Sequence, residues 1–216
     1  MEKGTEGILA RYLGAEAAAQ TCACPEPARL GAVRQACVLF ADMRHFSRLA
    51  EQMELLALRR FLGDFMQLFV DSVEARGGMV NKFVGDGALA GFQRPGPAAL
   101  AALRLHEDFL QLRSRWQAAS SAGCRAAFAA LDLAVGLSCG AIFLGNVGGG
   151  GRYDFTALGV PVNVAQRLAA EAAEGGVYCT AAVRAEVDAA IAAEALGAVQ
   201  PRGMSARITV FRLRQG

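Results

Sequence analysis

Two acidic residues in the stretch 36–92 constrain this chain more than any other feature of its sequence. The first, Asp42, ends an apolar run at 36–41, and the second, Asp86, lies between two glycines in the segment 84–88. The run predicts a strand that is buried on both faces, and the Asp-Gly pair predicts the tight turn of a hairpin. Carboxylate oxygens are preferred ligands of Mg²⁺ and Mn²⁺, and two such ions can clamp the attacking and leaving oxygens of a phosphoryl displacement. The two acids therefore predict a two-metal site, although a strand-end acid and an Asp-Gly turn are also common without any function.

The composition predicts a folded cytoplasmic domain and argues against nucleic acid as a partner. Of the 216 residues, 54% are apolar and 19% are charged, which is enough to bury a large core. The formal net charge of +2 is too small for a polybasic surface. Among six cysteines only Cys22 and Cys24 are close in sequence, and no second pair or histidine cluster completes a zinc site. Unpaired cysteines of this kind are typical of a reducing compartment.

The uncharged stretch 133–151 is long enough to resemble a membrane-spanning helix. It is dense in glycine, which breaks helices, and Cys139 with Gly140 predicts the turn of a buried hairpin instead. The polar start at 1–6 does not resemble a signal peptide. We therefore expect no membrane attachment.

The sequence divides into an N-terminal helix and linker at 1–33 and a larger domain at 34–216. A helix is expected at 8–20, and this segment could transmit a signal from an upstream regulatory domain. Alternating strands and helices predict an α/β or α+β sandwich built on a mixed or antiparallel sheet. The expected strands and hairpins are 33–43, 79–92, 131–147, 153–158, 177–180 and 207–213. The expected helices of this domain are 48–76, 98–119, 161–174 and 181–194.

Two further segments carry polar groups suited to a nucleotide. The turn at 43–47 leads into a helix whose expected N-cap is Ser47, and backbone N–H groups at a helix start suit a triphosphate. Asn163 and Arg167 are four residues apart on one helix, so both project from one face. Their apolar neighbours place both residues near the buried stripe of that helix, and a buried arginine needs an anionic partner.

Three blocks of sequence together resemble the catalytic domain of class III nucleotidyl cyclases. They are Phe-Ala-Asp-Met-Arg-His-Phe-Ser at 40–47, Asn-Lys-Phe-Val-Gly-Asp at 81–86 and Tyr-Asp-Phe-Thr-Ala-Leu-Gly-Val-Pro-Val-Asn-Val-Ala-Gln-Arg-Leu at 153–168. The resemblance covers about 34–213. It implies a palm-like, ferredoxin-like sheet flanked by helices, and a homodimer whose chains pack head to tail.

The resemblance also implies roles for individual residues at the metal and phosphates. Asp42 and Asp86 would hold two Mg²⁺ or Mn²⁺ ions, with the backbone carbonyl of Met43 as a further ligand. The loop that follows, including Phe46 and Ser47, would cradle the β- and γ-phosphates.

A second set of roles would come from the partner chain. Asn163 would orient the ribose, and Arg167 would stabilise charge at the α-phosphorus. Such a clamp fits phosphoryl transfer, which leaves the protein little covalent work. Arg152 and Arg202 are further candidates for phosphate contacts.

The base would be read by Lys82 and Thr156. Adenine offers an acceptor at N1 and a donor at N6, which match the donor-only ammonium of Lys82 and the hydroxyl of Thr156. Guanine would present donors instead, so ATP is favoured over GTP. The predicted activity is that of an adenylate cyclase, a phosphorus–oxygen lyase that converts ATP to 3′,5′-cyclic AMP and pyrophosphate. Thr156 also resembles the subgroup that includes bicarbonate-responsive enzymes.

The sequence departs from the family pattern at a few positions. His45 stands where glycine is usual, and Val160 with Pro161 replaces the common acidic-polar pair, but no catalytic group is lost. One alternative is a catalytically weak or silent cyclase-homology module that binds nucleotide or a regulatory partner. A diguanylate cyclase is disfavoured, because 84–88 lacks the second acid and the phenylalanine of that signature.

Overall fold

Eight strands form one sheet within the described residues, which are 18, 19, 22, 26 and 30–215 of a computed structural model. The strands are β1 (Gly31–Arg44), β2 (Met79–Val84), β3 (Gly87–Phe92), β4 (Asp132–Gly149), β5 (Arg152–Leu158), β6 (Gly176–Thr180), β7 (Ala192–Val199) and β8 (Ile208–Arg214). Their spatial order is β2-β3-β1-β4-β6-β8-β7, and β5 pairs with the C-terminal part of β4. Every pairing is antiparallel except that of β4 with β6. The expected mixed sheet is confirmed.

Helices cover both faces of this sheet, which confirms the predicted α+β sandwich. They are α1 (Phe46–Gln52), α2 (Leu55–Glu74), α3 (Pro95–Ala119), α4 (Ala122–Ala130), α5 (Val160–Ala170) and α6 (Ala181–Arg184). Helices α2 and α3 pack on one face, and α5 packs on the other. The helices predicted at 98–119 and 161–174 are present with shifted ends. The predicted helix at 8–20 and most of the linker lie outside the described residues.

Strand β1 runs through the middle of the sheet, and its segment 37–43 is buried on both faces, as the apolar run predicted, whereas residues 31–35 are exposed. Leu39 and Met43 point into the core beneath α2 and α3, whereas Val38 and Phe40 point into the core beneath α5. Successive strand residues point to opposite faces, so Asp42 lies on the α5 side, next to Phe40. The alternation of β1 thus decides on which face the first acid is presented.

Helix α5 lies directly on β4 because a glycine removes the side chain between them. A Cβ atom at Gly136 would come within 2.0 Å of the backbone oxygen of Ala165. The helix buries Val164, Ala165 and Leu168 against the sheet. The position of α5, and of every side chain on it, therefore depends on this close contact.

The prediction of a single helix at 48–76 is wrong, because two extended residues separate α1 from α2. Met53 and Glu54 are extended, and the carboxylate of Glu54 accepts hydrogen bonds from the backbone N–H groups of Leu56 and Ala57 at 2.9 and 3.0 Å. Glu54 thus caps a new helix. Leu55 at the start of α2 is 77% exposed, and the buried face of this helix begins at Phe61.

The hairpin predicted at 131–147 is also wrong, because β4 is one continuous strand. Gly140 has a φ of +154°, and a Cβ atom there would lie 3.0 Å from Cγ of Pro161 at the start of α5. This glycine allows a close approach rather than a turn. The chain turns later, at Gly150 and Gly151, which have φ angles of +62° and +80°. No helix in the described part of the chain is long and apolar enough to span a membrane.

The helix predicted at 181–194 is wrong as well. Helix α6 ends at Arg184, and the residues from Ala192 onward form the edge strand β7, which pairs with β8. The alanine-rich sequence favours a helix locally, but pairing along β8 overrides that weak preference. Strand β7 was not predicted at all.

Candidate active site

Asp42 and Asp86 come together at one end of the sheet. The pairing of β1 with β3 ends at Ala41 opposite Ala88, so Asp42 and Gly87 come side by side. A Cβ atom at Gly87 would lie 3.0 Å from the backbone oxygen of Ala41 and 3.3 Å from Oδ1 of Asp42. The absence of a side chain at this position therefore lets the hairpin turn that carries Asp86 close against Asp42. We call these two acids the acidic edge.

The acidic edge is electrostatically suited to cations. Both carboxylates are half-buried, and burial raises the pKa of Asp42 and of Asp86. The charge of Asp86 raises the pKa of Asp42 further, while Arg44 lowers it in part. Two carboxylates that repel each other in a partly desolvated site favour a divalent cation between them.

The ligand set at the acidic edge fits Mg²⁺ or Mn²⁺ better than a soft metal. Within the described residues, no group of three or more His, Cys, Asp or Glu side chains is placed to hold a metal. Two carboxylates are enough for Mg²⁺, which commonly keeps several water or phosphate ligands. The Met43 side chain is buried, so any metal contact there falls to its backbone carbonyl.

The loop expected at 43–47 is a turn of a single residue. Strand β1 continues to Arg44 and helix α1 begins at Phe46, so His45 makes the turn alone. His45 has a φ of +63°, and it is the one non-glycine residue with a positive φ in the described part of the chain. A Cβ atom is strained in the left-handed region, so this turn suits glycine better than histidine.

The predicted role of Ser47 as an N-cap is wrong. His45 occupies the N-cap position of α1, and no side chain forms a capping hydrogen bond there. Ser47 lies inside the first turn and is exposed, whereas Phe46 packs partly against the core. Phe46 and Ser47 follow Asp42 by four and five residues, at the start of α1.

Lys82 is directed toward β5, the strand that carries Thr156. A β-bulge between Val80 and Lys82 shifts the register of β2 against β3. The ammonium of Lys82 forms an ion pair with the carboxylate of Asp154. Asp154 and Thr156 are two residues apart on β5 and so share a face of that strand. The two predicted base-reading residues are therefore on facing strands of one protomer.

Two residues near Lys82 were not predicted to act. Asp154 was part of the third sequence block, but nothing in its local sequence indicated a contact with β2. Asn81 lines a cavity of about 130 Å³ with Met79 and Leu89, and neither polar atom of its buried carboxamide has a hydrogen-bond partner among the described residues. The positions of Asn81 and of the Lys82–Asp154 contact both depend on the bulge in β2, which the sequence does not indicate.

Asn163 and Arg167 lie on the outer side of α5, and the expectation that they are near the buried stripe is wrong. Both are exposed, because the helix turns its buried side, with Val164 and Leu168, toward the sheet. Arg167 has no ion pair among the residues that the structure describes. We call Asn163 and Arg167 the α5 face.

The two other predicted phosphate ligands, Arg152 and Arg202, lie on different elements of the fold. The backbone N–H of Arg202, in the loop between β7 and β8, donates a 3.0 Å hydrogen bond to Oε1 of Glu171, just beyond α5. Arg167 lines a cavity of about 430 Å³ with Glu171 and Tyr178. Arg152 is exposed at the start of β5, beside the turn that follows β4. The structure thus brings Arg202 toward the α5 face and leaves Arg152 at the end of a hairpin.

The chain belongs to the family of adenylate and guanylate cyclase catalytic domains, whose sequence model matches residues 30–214. An uncharacterised protein of Mycobacterium tuberculosis is 32% identical over 167 residues, which are 74% of this chain and 28% of that protein. An adenylate cyclase of Anabaena cylindrica is 28% identical over 136 residues, which are 62% of this chain and 27% of that protein. The chain therefore spans less than a third of the length of these relatives.

Solved cyclase structures share the fold. The adenylyl cyclase CyaB from P. aeruginosa matches with a TM-score of 0.76 and 24% identity, over 86% of this chain and 96% of that one. A bacterial light-regulated adenylyl cyclase matches with a TM-score of 0.78 and 25% identity, over 98% of this chain and 60% of that one. The guanylyl cyclase Cya2 matches with a TM-score of 0.72 and 18% identity, over 87% of this chain and 95% of that one. Because both kinds of cyclase have this fold, the fold does not decide between ATP and GTP.

Proposed function

We propose that this domain is an adenylate cyclase that converts ATP to 3′,5′-cyclic AMP and pyrophosphate. The observation that carries the proposal is the pairing of Asp42 with Asp86 at the acidic edge, in a cyclase domain that also retains Asn163 and Arg167. Family membership supports cyclase chemistry, and the sequence similarity to an adenylate cyclase of Anabaena cylindrica supports ATP as the substrate.

Asp42, Asp86 and the carbonyl of Met43 would hold two Mg²⁺ or Mn²⁺ ions together with the phosphates. When bound, these ions would lower the pKa of the ribose 3′-hydroxyl and neutralise charge on the triphosphate. The protein's part is to present the carboxylates in a site that is partly shielded from water, where their attraction for cations is stronger than in bulk solvent.

Arg167 and Asn163 would act on a nucleotide held at the acidic edge of a second chain. Both side chains are exposed in the protomer, and no ion pair joins Arg167 to either acid within the described residues. In a two-fold homodimer each site would combine the acidic edge of one chain with the α5 face of the other. Arg167 would then stabilise the charge that develops at the α-phosphorus.

Base selection would rest on Lys82 and Thr156. The Lys82 ammonium can donate to N1 of adenine, and the Thr156 hydroxyl can accept from N6. Guanine carries a hydrogen on N1, which would face the ammonium donor. The location of Lys82 opposite β5 supports this pairing and the preference for ATP.

We also propose that an upstream regulatory domain controls the activity. The greater length of the mycobacterial relative, of which the match covers 28%, supports this proposal. The cytoplasmic location and the bicarbonate response remain predictions from the sequence.

The test is to incubate the protein with Mn²⁺ and either ATP or GTP, and to separate the products by chromatography. We expect cyclic AMP and pyrophosphate in equal amounts, and little cyclic GMP. Lys82→Glu should lose ATP turnover while Asp71→Asn, a carboxylate change on the exposed surface of α2, should retain it. A preference for GTP would refute the assignment of the base, and the absence of both products would indicate the silent module.

A further inference from the structure

The ammonium of Lys82 is held by one carboxylate, that of Asp154. The chain contains only two lysines, Lys3 and Lys82, against 20 arginines. Lys82 bonds to Asp154 across 72 positions of sequence and from a different strand. No other ion pair of Lys82 occurs among the described residues. Asp154 therefore determines where this ammonium lies.

This ion pair is poorly suited to a purely structural role. The side chain of Asp154 is 69% exposed, whereas that of Lys82 is 23% exposed. An ion pair that is open to water on one side contributes little to stability. Strands β2 and β5 are already held by their own neighbours, β3 and β4. The contact is therefore expected to contribute little to the stability of the fold.

The contact instead fixes a flexible donor. A lysine side chain has four rotatable bonds, so an unrestrained ammonium occupies many positions. Bonding to Asp154 restrains it beside the face of β5 that Asp154 shares with Thr156. Because an ammonium has three N–H donors, one bond to Asp154 leaves two for other acceptors.

The geometry points to Asp154 as the residue that positions Lys82 for reading the base, with the Lys82–Asp154 pair acting as one unit beside Thr156. This inference rests on the proposed function, in which Lys82 donates to N1 of adenine. The neutral Thr156 cannot balance the charge of the lysine, and Asp154 supplies that balance from two residues away. The ligand is thus an adenine nucleotide, read by an ammonium that the protein orients before the nucleotide binds.

The direct test compares Asp154→Asn with the wild type in steady-state assays with ATP and with GTP. The expected result is a KM for ATP that is about fivefold higher with a kcat within about twofold, together with a lower ratio of ATP to GTP turnover. Asp154→Glu, which keeps the carboxylate, should restore most of the affinity. Asp108→Asn is the matched control, because it breaks the Arg104–Asp108 ion pair on α3. It should behave as wild type.

A second measurement follows Lys82 itself without turnover. Reductive methylation with peptide mass spectrometry reports the accessibility of Lys82, and the same protein without ATP serves as the reference. We expect ATP with Ca²⁺ to protect Lys82 in the wild type, and the ATP concentration for half-protection to be about fivefold higher in Asp154→Asn.

The outcomes separate this inference from the proposed function. If the wild type makes cyclic AMP but Asp154→Asn matches Asp108→Asn in both measurements, Asp154 does not position the lysine. If Asp154→Asn binds ATP more tightly, the carboxylate competes with the base and the inference is reversed. If the wild type makes neither cyclic nucleotide, the proposed function fails, and this inference fails with it.

Discussion

The acidic edge and the α5 face differ in how complete they are within one chain. At the acidic edge, β1 and the turn after β2 bring two half-buried carboxylates together, and burial together with their mutual repulsion raises the pKa of Asp42. On the α5 face, Asn163 and Arg167 are exposed, and Arg167 has no ion pair among the described residues. The acidic edge carries two carboxylates whose charge Arg44 offsets only in part, and the α5 face presents the exposed positive charge of Arg167. Each has the chemistry that the other needs, which is the physical basis for the proposed shared site.

The largest effect is expected from removing one charge at the acidic edge. Asp42→Asn or Asp86→Asn should reduce cyclase activity by about a thousandfold or more, because a neutral amide is a poor ligand for Mg²⁺ or Mn²⁺. The fold should remain, since neither side chain belongs to the core. Thermal unfolding with added Mn²⁺ measures the metal directly, as a bound ligand raises the midpoint. The wild type should be stabilised and Asp42→Asn should not.

The control is Asp71→Asn, whose carboxylate accepts a hydrogen bond from Gln67 on α2. It should retain both activity and the response to Mn²⁺. Near-normal activity in Asp42→Asn would exclude the acidic edge as the metal site.

Two parts of the acidic edge follow from short-range rules, namely the alternation of β1 and the Asp-Gly turn, and the sequence predicted both. The meeting of the two acids depends in addition on the pairing of β1 with β3, which no local pattern shows. The exposure of Arg167 differs from the prediction, because residues that are adjacent in sequence do not share one side of a helix. Consecutive helix residues are rotated by about 100°, so Leu168 is buried while Arg167 faces outward.

Contacts between residues that are far apart in sequence could not be predicted, for a different reason. Gly140 has the same local appearance as a turn glycine, and only the approach of Pro161 shows its role. The ion pair of Lys82 with Asp154 depends on a bulge in β2 and on the path of β5. Each of these features is decided by a packing partner that lies far away in sequence.

The next effect is expected from moving the α5 face while leaving the acidic edge unchanged. Gly136→Ala would place a methyl group 2.0 Å from the backbone oxygen of Ala165 and push α5 away from β4. We expect a loss of about 1–3 kcal/mol in the free energy of unfolding and a large loss of activity. Chemical denaturation gives the stability, and the midpoint shift with Mn²⁺ should persist, because Asp42 and Asp86 are not displaced.

Gly63→Ala is the matched control for this change. Gly63 lies within α2, and a Cβ atom there would meet nothing within 4 Å. Alanine should stabilise the helix by about 0.5–1 kcal/mol without changing activity. If Gly136→Ala is as stable and active as Gly63→Ala, the close packing of α5 does not position Arg167.

The charge of Asp42 is expected to have a smaller effect, on the free energy of unfolding. Burial and Asp86 raise the pKa of Asp42 above its ordinary value of 3.8, so the ionised form is less favourable in the folded than in the unfolded chain. Protonated Asp42 therefore stabilises the fold at pH values below 3.8, and this contribution is lost as the pH rises through the raised pKa of the folded state. Without metal, Asp42→Asn should therefore be more stable than the wild type at pH 7, by less than about 1 kcal/mol for a half-buried group.

This difference should disappear as the pH is lowered toward 3.8. Denaturant unfolding in the presence of a chelator, at several pH values, measures it. A wild type that is more stable than Asp42→Asn at neutral pH would contradict the repulsion at the acidic edge.

The most direct test of the shared site is to mix two inactive variants. Asp42→Ala lacks the acidic edge and Arg167→Ala lacks the α5 face, so each homodimer has two defective sites. In a mixed dimer one site carries both defects and the other carries neither. Random exchange makes about half of the dimers mixed, so about a quarter of the wild-type activity should return. If subunit exchange is demonstrated and the mixture still makes no cyclic AMP, the acidic edge and the α5 face do not form one site.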